Sequence, residues 1–441
     1  MRPPEVRIVF FTSVVDWNPL KADSDSLKIP HLRELAMIGH LDADCFYVSA
    51  ERVRHPDLVG KAVGVLGNNG ACVIAKSYEM KAAGVKTGTP VWEAKKLCPE
   101  GVFIKRDFYW YEVLSRKMLD IVGKFSPRVE YYSIDEFFLH AEPLYRGQQL
   151  HQAAVQMRDR IKEIAGLPVT IGVARTRTLA KLFSDTAKPF GAVAVTNRDH
   201  EEHLLSKLPV TEISGIAGRR AARLEPYGIR SCLDFARADG RLINKLLTKT
   251  GYELWEEING RPVQKVRTER SPHKALARGG SLMGSVDDPV KLWAWCVRHL
   301  ERLCEELAYH NVRTDRLVVQ VAYKDHEPGV GTAPLDHPCG RFDQLLDAAR
   351  VGLRRAFKGY AMPATHMWVM ADSLRRERGF QMSLFESPDP QRQRIAELKS
   401  QVNERFGRFK LRSGTTLHLP AVYADPANDF DICDVRGKVC F

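Results

Sequence analysis

Two acidic clusters set inside apolar, β-prone runs constrain this chain more than any other feature. They are Leu41-Asp42-Ala43-Asp44-Cys45-Phe46-Tyr47 and Tyr132-Ser133-Ile134-Asp135-Glu136-Phe137-Phe138. Burying an unpaired carboxylate is expensive, and neither run contains a Lys or Arg that could offset it. Clustered carboxylate oxygens suit a hard divalent ion such as Mg²⁺, which takes one or two of them together with substrate phosphates. Two such ions form an apparatus for in-line attack at a phosphate. The other use of an acid in such a place is to cap a turn or helix. Asp44, just before Phe46-Tyr47-Val48-Ser49-Ala50-Glu51, suits a cap, whereas Asp42, Asp135 and Glu136 read as metal ligands.

Alternation along a strand places Asp42 on one face with His40 and Asp44, and turns Leu41, Ala43 and Cys45 into the core. The same alternation would send Asp135 and Glu136 to opposite faces. They converge only where the chain bends, so Val129–Ile134 and Phe137–His140 read as a hairpin with the two acids at its tip.

A chain of 441 residues is too long for one core and suggests about three or four domains. It is 44% hydrophobic and 27% charged, which excludes a disordered or fibrous class. No apolar run is long enough to span a bilayer. A net charge of +12 favours a polyanionic partner. Nine cysteines without a C-x-x-C pair read as reduced thiols of a cytosolic protein rather than a disulfide framework. Residues 1–36 contain only a short apolar run, Ile8-Val9-Phe10-Phe11, with no signal-peptide pattern. Met37 reads as the functional start, or 1–36 as a poorly ordered leader.

The order of the motifs resembles that of the Y-family (translesion) DNA polymerases, most closely the UmuC branch. The likeness runs from about Met37 to Phe385. It is carried by the two acidic clusters, by Cys72-Val73-Ile74-Ala75-Lys76, by Ser126-Pro127-Arg128-Val129-Glu130 and by Thr178-Leu179-Ala180-Lys181-Leu182. The resemblance implies an α+β multidomain, right-hand polymerase. Its ferredoxin-like palm would span residues 37–45 and 107–197, and small fingers 46–106. A helical helix-hairpin-helix thumb would span 198–262, a basic tether 263–280 and a βαββαβ little finger 281–375. A clamp-binding linker (376–387) and a tail with one helix (388–441) would follow.

The resemblance also implies roles. Asp42 and Asp135 would bridge two Mg²⁺ ions, Glu136 would bind the catalytic one, and the Ala43 carbonyl would complete the nucleotide-side ion. The reaction would join a dNTP to a primer 3′-hydroxyl on primer-template DNA. Phe46 and Tyr47 would lie under the incoming sugar, with Tyr47 as the steric gate. Residues Ala75–Val85 read as a helix presenting Tyr78 and Lys81 at i, i+3 to the triphosphate, with Lys188 as a further cation and Lys181 as a weaker one. In the thumb, Gly215, Ile216, Ala217, Gly218 and Arg219 resemble a hairpin that aims N–H groups at a DNA phosphate, and Lys274 belongs to the tether along the duplex. Gln381, Leu384 and Phe385 resemble a peptide that binds the bacterial sliding β-clamp. UmuD-like and RecA-like proteins are candidate partners by the same likeness, and the expected location is the cytoplasm, on the nucleoid. Within the tail, Ile395, Leu398, Val402 and Phe406 fall on one face of an amphipathic helix.

Overall fold

The computed structural model describes residues 37–67, 70–141, 148–269, 272–359, 362–376 and 390–424. The first strands are β1 (Met37–Ala43), β2 (Val63–Leu66), β3 (Val73–Lys76), β4 (Val102–Lys105), β5 (Val129–Tyr131), β6 (Glu136–Ala141), β7 (Val169–Ala174) and β8 (Ala192–Ala194). Later strands are β9 (Leu276–Val286), β10 (Val312–Tyr323), β11 (His326–Cys339), β12 (Ala364–Ala371) and β13 (Leu374–Arg376).

The first sheet has the order β5-β6-β1-β7-β8, so β1 lies at its centre between two antiparallel neighbours. Its two faces have different cores. Leu41 and Ala43 pack with Phe137, Leu139 and Ile171 against the Phe108–Val122 and Gln148–Ala165 helices. Ile38 and Phe138 face the other way, onto Leu179, Leu182 and Phe183 of the Arg177–Thr186 helix. That helix sits unusually close, because a Cβ on Gly172 would lie 2.3 Å from the Ala180 carbonyl oxygen and 2.5 Å from the Ser184 nitrogen.

A small sheet, β3-β2-β4, packs with the Tyr78–Ala82 and Val91–Leu97 helices around Met80 and Val73. The helix expected over Ala75–Val85 is shorter. Ala75 and Lys76 belong to β3, and the Ser77 hydroxyl caps a single turn by accepting from the Met80 N–H. The stretch from Arg198 to Ile258 is helical, and its apolar residues share a core with the Arg177–Thr186 helix.

A second sheet, β11-β10-β12-β9 with β13 on β10, is covered by the Pro289–Tyr309 and Phe342–Ala356 helices, a βαββαβ order. Strand β9 begins at Leu276, inside the stretch read as tether. Arg278 is therefore buried and paired with Glu306 rather than lying along a free linker. The Pro390–Phe406 helix docks on this unit through Lys399–Glu301, and Leu419 and Val422 further on enter the second core. Its apolar face is not the buried one: Ile395, Leu398 and Phe406 are exposed. Amphipathicity predicts burial of the apolar stripe, and the structure does not show it. Among the described residues all cysteines are free thiols, and no helix is long and apolar enough to cross a membrane.

Candidate active site

Register builds the centre of the site. Asp42 lies directly opposite Glu136 on the neighbouring strand, so their side chains share a face. The expected hairpin is present, and Glu136 is the first residue of its second strand, with residues 132–135 forming the turn. Asp135 is drawn onto β1 by its backbone, whose carbonyl accepts the Ala43 N–H at 2.9 Å. Its carboxylate accepts the Ser133 hydroxyl.

The most compact donor set among the described residues is His40, Asp42 and Glu136, whose ligating atoms lie within 4.8 Å of one another. Asp135 is not part of this set, but its carboxylate is close enough to act on Asp42. The sequence signal for His40 was its shared strand face with Asp42. Its ring is fully buried, with Nε2 2.9 Å from Glu136 Oε1 and Nδ1 2.7 Å from Ser184 Oγ.

The charges here are crowded. Burial pushes the Asp42 carboxyl up to about 7, with Asp135 and Glu136 adding to the shift and Lys188, 3.0 Å away, opposing it. Burial also acts upward on Glu136, but the His40 hydrogen bond and the Lys181 charge outweigh it and hold that carboxyl down at about 2. Burial lowers His40, and Lys181 adds to the shift while Glu136 opposes it. A half-buried, oxygen-rich pocket with three carboxylates crowded together fits a hard divalent cation. Asp42, Glu136, Asp135 and the Ala43 carbonyl are the oxygens available to hold it.

Asp44 does not cap the following helix. The chain turns at Cys45 in a left-handed conformation (φ 45°), the Phe46–Arg54 helix has no side-chain cap, and Asp44 leaves the face of Asp42. Its buried carboxylate accepts instead from the Phe190 N–H (2.8 Å), the Thr170 hydroxyl (3.0 Å) and the Tyr78 hydroxyl (3.4 Å). The two aromatics after it diverge, because adjacent helical positions point about 100° apart. Phe46 is buried in the first core. Tyr47 is half-buried and stacks on Tyr111, with ring centroids 4.7 Å apart.

Lys188 also pairs with Asp185 at 2.8 Å, while Lys81 is exposed one turn after Tyr78. Lys181, the weaker candidate, is in fact bonded to Glu136. In the helical region Gly215 (φ 98°) makes the tight turn, and a side chain there would also press on Leu254. Ala217, Gly218 and Arg219 are exposed at the start of the Gly218–Leu224 helix. Ile216 is corrected: its side chain is buried and its N–H donates to the Ile213 carbonyl at 2.8 Å, so it is part of the scaffold. Lys274 is exposed. Gln381, Leu384 and Phe385 lie outside the described residues.

Comparison with known proteins agrees with this architecture. Residues 41–185 match the model of the impB/mucB/samB family, and residues 273–384 match that family's C-terminal domain. DNA polymerase IV of Bacillus velezensis is 28% identical over 388 residues, covering 86% of this chain and 93% of that one. DNA polymerase IV 2 of Mesorhizobium japonicum is 33% identical over 317 residues, covering 71% and 75%. These relatives are named polymerase IV, so the likeness to UmuC is only approximate. A solved Y-family DNA polymerase chimera of Dbh and Dpo4 superimposes with a TM-score of 0.66 at 22% identity, covering 77% of this chain and all of that one. The chain belongs to the impB/mucB/samB family, the Y-family DNA polymerases.

Proposed function

We propose that this chain is a DNA-directed DNA polymerase that copies past damaged template bases with low fidelity. Family membership supports the activity, and the observation that carries the site is Asp42 facing Glu136 across β1 and β6 with Asp135 held beside them. Asp42 and Asp135 are the residues we assign to both metal ions, Glu136 to the primer-side ion and the Ala43 carbonyl to the nucleotide-side ion. The ions are Mg²⁺ in this reading. When bound, they supply charge neutralisation at the α-phosphate and lower the pKa of the attacking 3′-hydroxyl.

The chain's own part is to position and to screen. The strand register holds the carboxylates on one face, so little reorganisation is needed at the moment of transfer. Lys188 and Lys181 sit on these carboxylates, and Lys188, Tyr78 and Lys81 are the groups we assign to the triphosphate oxygens, with Lys181 as the weaker candidate. Tyr47, braced by Tyr111, is the ring we assign to exclusion of a ribose 2′-hydroxyl. Gly215, Ala217, Gly218, Arg219 and Lys274 are the proposed backbone contacts to primer-template DNA. Gln381, Leu384 and Phe385 are the proposed β-clamp contact, and UmuD-like and RecA-like proteins remain candidate partners.

Asp135→Ala and Glu136→Ala test the site. Each is expected to abolish nucleotide addition in a primer-extension assay while leaving primer-template affinity intact. Near-normal extension by either variant overturns the metal assignment.

A further inference from the structure

We propose that His40 is a positioning residue for this reaction: its buried ring, braced from behind by Ser184, holds Glu136 in a ligating orientation. The proposal rests on the reading of Glu136 as a metal ligand.

Glu136 stands at the very start of β6, where a strand gives a long side chain little restraint. His40 supplies restraint from the neighbouring strand. It lies two residues before Asp42 on the same face, and its ring sits 4.7 Å from that of Phe138. Its Nε2 meets Glu136 Oε1 at 2.9 Å, and Lys181 bonds to the same oxygen. Oε2 is the atom we assign to the cation.

An ionised carboxylate can only accept, so the hydrogen between the two groups belongs to Nε2. On the far side of the ring Nδ1 lies 2.7 Å from the Ser184 hydroxyl. That hydroxyl donates to the Lys181 carbonyl at 2.8 Å, which fixes it in place behind the ring. Gly172 makes this chain of contacts possible: it pairs with His40 across β1 and β7, and its missing side chain is what allows Ser184 to approach. Partners of this kind behind a metal ligand fix its orientation and are worth roughly 10- to 100-fold in metal affinity or activity.

Three full-length variants test the proposal. His40→Met removes both nitrogens at similar volume, His40→Gln keeps an amide donor near the Nε2 position, and Ser184→Ala removes the partner of Nδ1. The readouts are Mn²⁺ binding by calorimetry on the protein with primer-template, and primer extension against Mg²⁺ concentration. His40→Met is expected to weaken Mn²⁺ binding and raise the half-saturating Mg²⁺ by roughly 10- to 100-fold, with DNA affinity unchanged. His40→Gln should recover most of that loss. Ser184→Ala should fall between them. Wild-type cation dependence in His40→Met, or equal impairment in His40→Gln and His40→Met, overturns the proposal. If His40→Met does not fold, wild-type cation dependence in Ser184→Ala overturns it instead. Glu136→Gln separates the two layers of inference. Its normal extension would mean the metal assignment failed, whereas a dead Glu136→Gln beside a normal His40→Met rejects the positioning role alone.

Discussion

Glu257 offers a sharp test of how the helical region, the first sheet and the segment leading to the second sheet are joined. It ends a long helix, is fully buried, and its carboxylate accepts three backbone N–H groups. One is Thr178, at 3.0 Å, in the first turn of the Arg177–Thr186 helix; the others are Val263 at 2.7 Å and Gln264 at 2.8 Å. Its own carbonyl accepts the Thr176 hydroxyl at 2.8 Å. Glu257→Ala orphans all three amides. The Thr178 amide is buried and costs about 1–3 kcal/mol when unpaired, while the other two are partly wet and cost about 0.5–1.5 kcal/mol each. Loss of a negative charge at a helix N-terminus adds to this. The expected destabilisation is about 2–6 kcal/mol, near the upper end for single substitutions. Glu257→Gln keeps an oxygen for Val263 and Gln264 but turns an NH₂ toward the Thr178 N–H, so its loss should be smaller, about 1–3 kcal/mol. Urea unfolding followed by amide hydrogen exchange reads both effects, with protection lost first at Thr178, Val263 and Gln264. A loss below about 1 kcal/mol in Glu257→Ala, with those amides still protected, refutes the reasoning.

Asp42 and Glu136 make opposite contributions to stability with pH. Raised from 3.8 to about 7, Asp42 destabilises the metal-free fold progressively as pH climbs through that window, whereas Glu136, lowered from 4.5 to about 2, contributes stability that is lost as pH falls through its own. Mg²⁺ should therefore raise the melting temperature more at about pH 8 than at about pH 5; an equal shift at both would count against the cation sitting on Asp42. Tyr47→Ala should reduce discrimination against ribonucleotides by roughly 10- to 200-fold, the worth of one methylene-sized clash. Single-nucleotide incorporation of rNTP against dNTP measures it, and an unchanged ratio makes Tyr47 a packing residue only. The Leu384→Ala/Phe385→Ala pair should weaken clamp binding by at least about 2 kcal/mol and spare unassisted extension. Equal clamp affinity before and after rejects that peptide.

Periodicity and cost made the centre of the site legible in the sequence. Carboxylates inside apolar, strand-forming runs need a partner, and that requirement singled out Asp42, Asp135 and Glu136 without any coordinates. The same local logic marked the long helix at Pro289–Tyr309, because its apolar spacing is set within one segment. Only the tertiary structure could decide which groups meet across elements. His40 reaches Glu136 and Ser184 across separations of 96 and 144 residues, and Thr170 and Phe190 captured an Asp44 that local rules assign to a helix cap. The tail helix pairs Lys399 with Glu301, far back in the chain, and leaves Ile395, Leu398 and Phe406 exposed. The physical reason is common to all three. Local pattern specifies which face of an element is apolar, but a hydrogen bond or ion pair is specified to within an ångström by sheet register and by how closely a helix approaches. Here one glycine, Gly172, sets that approach.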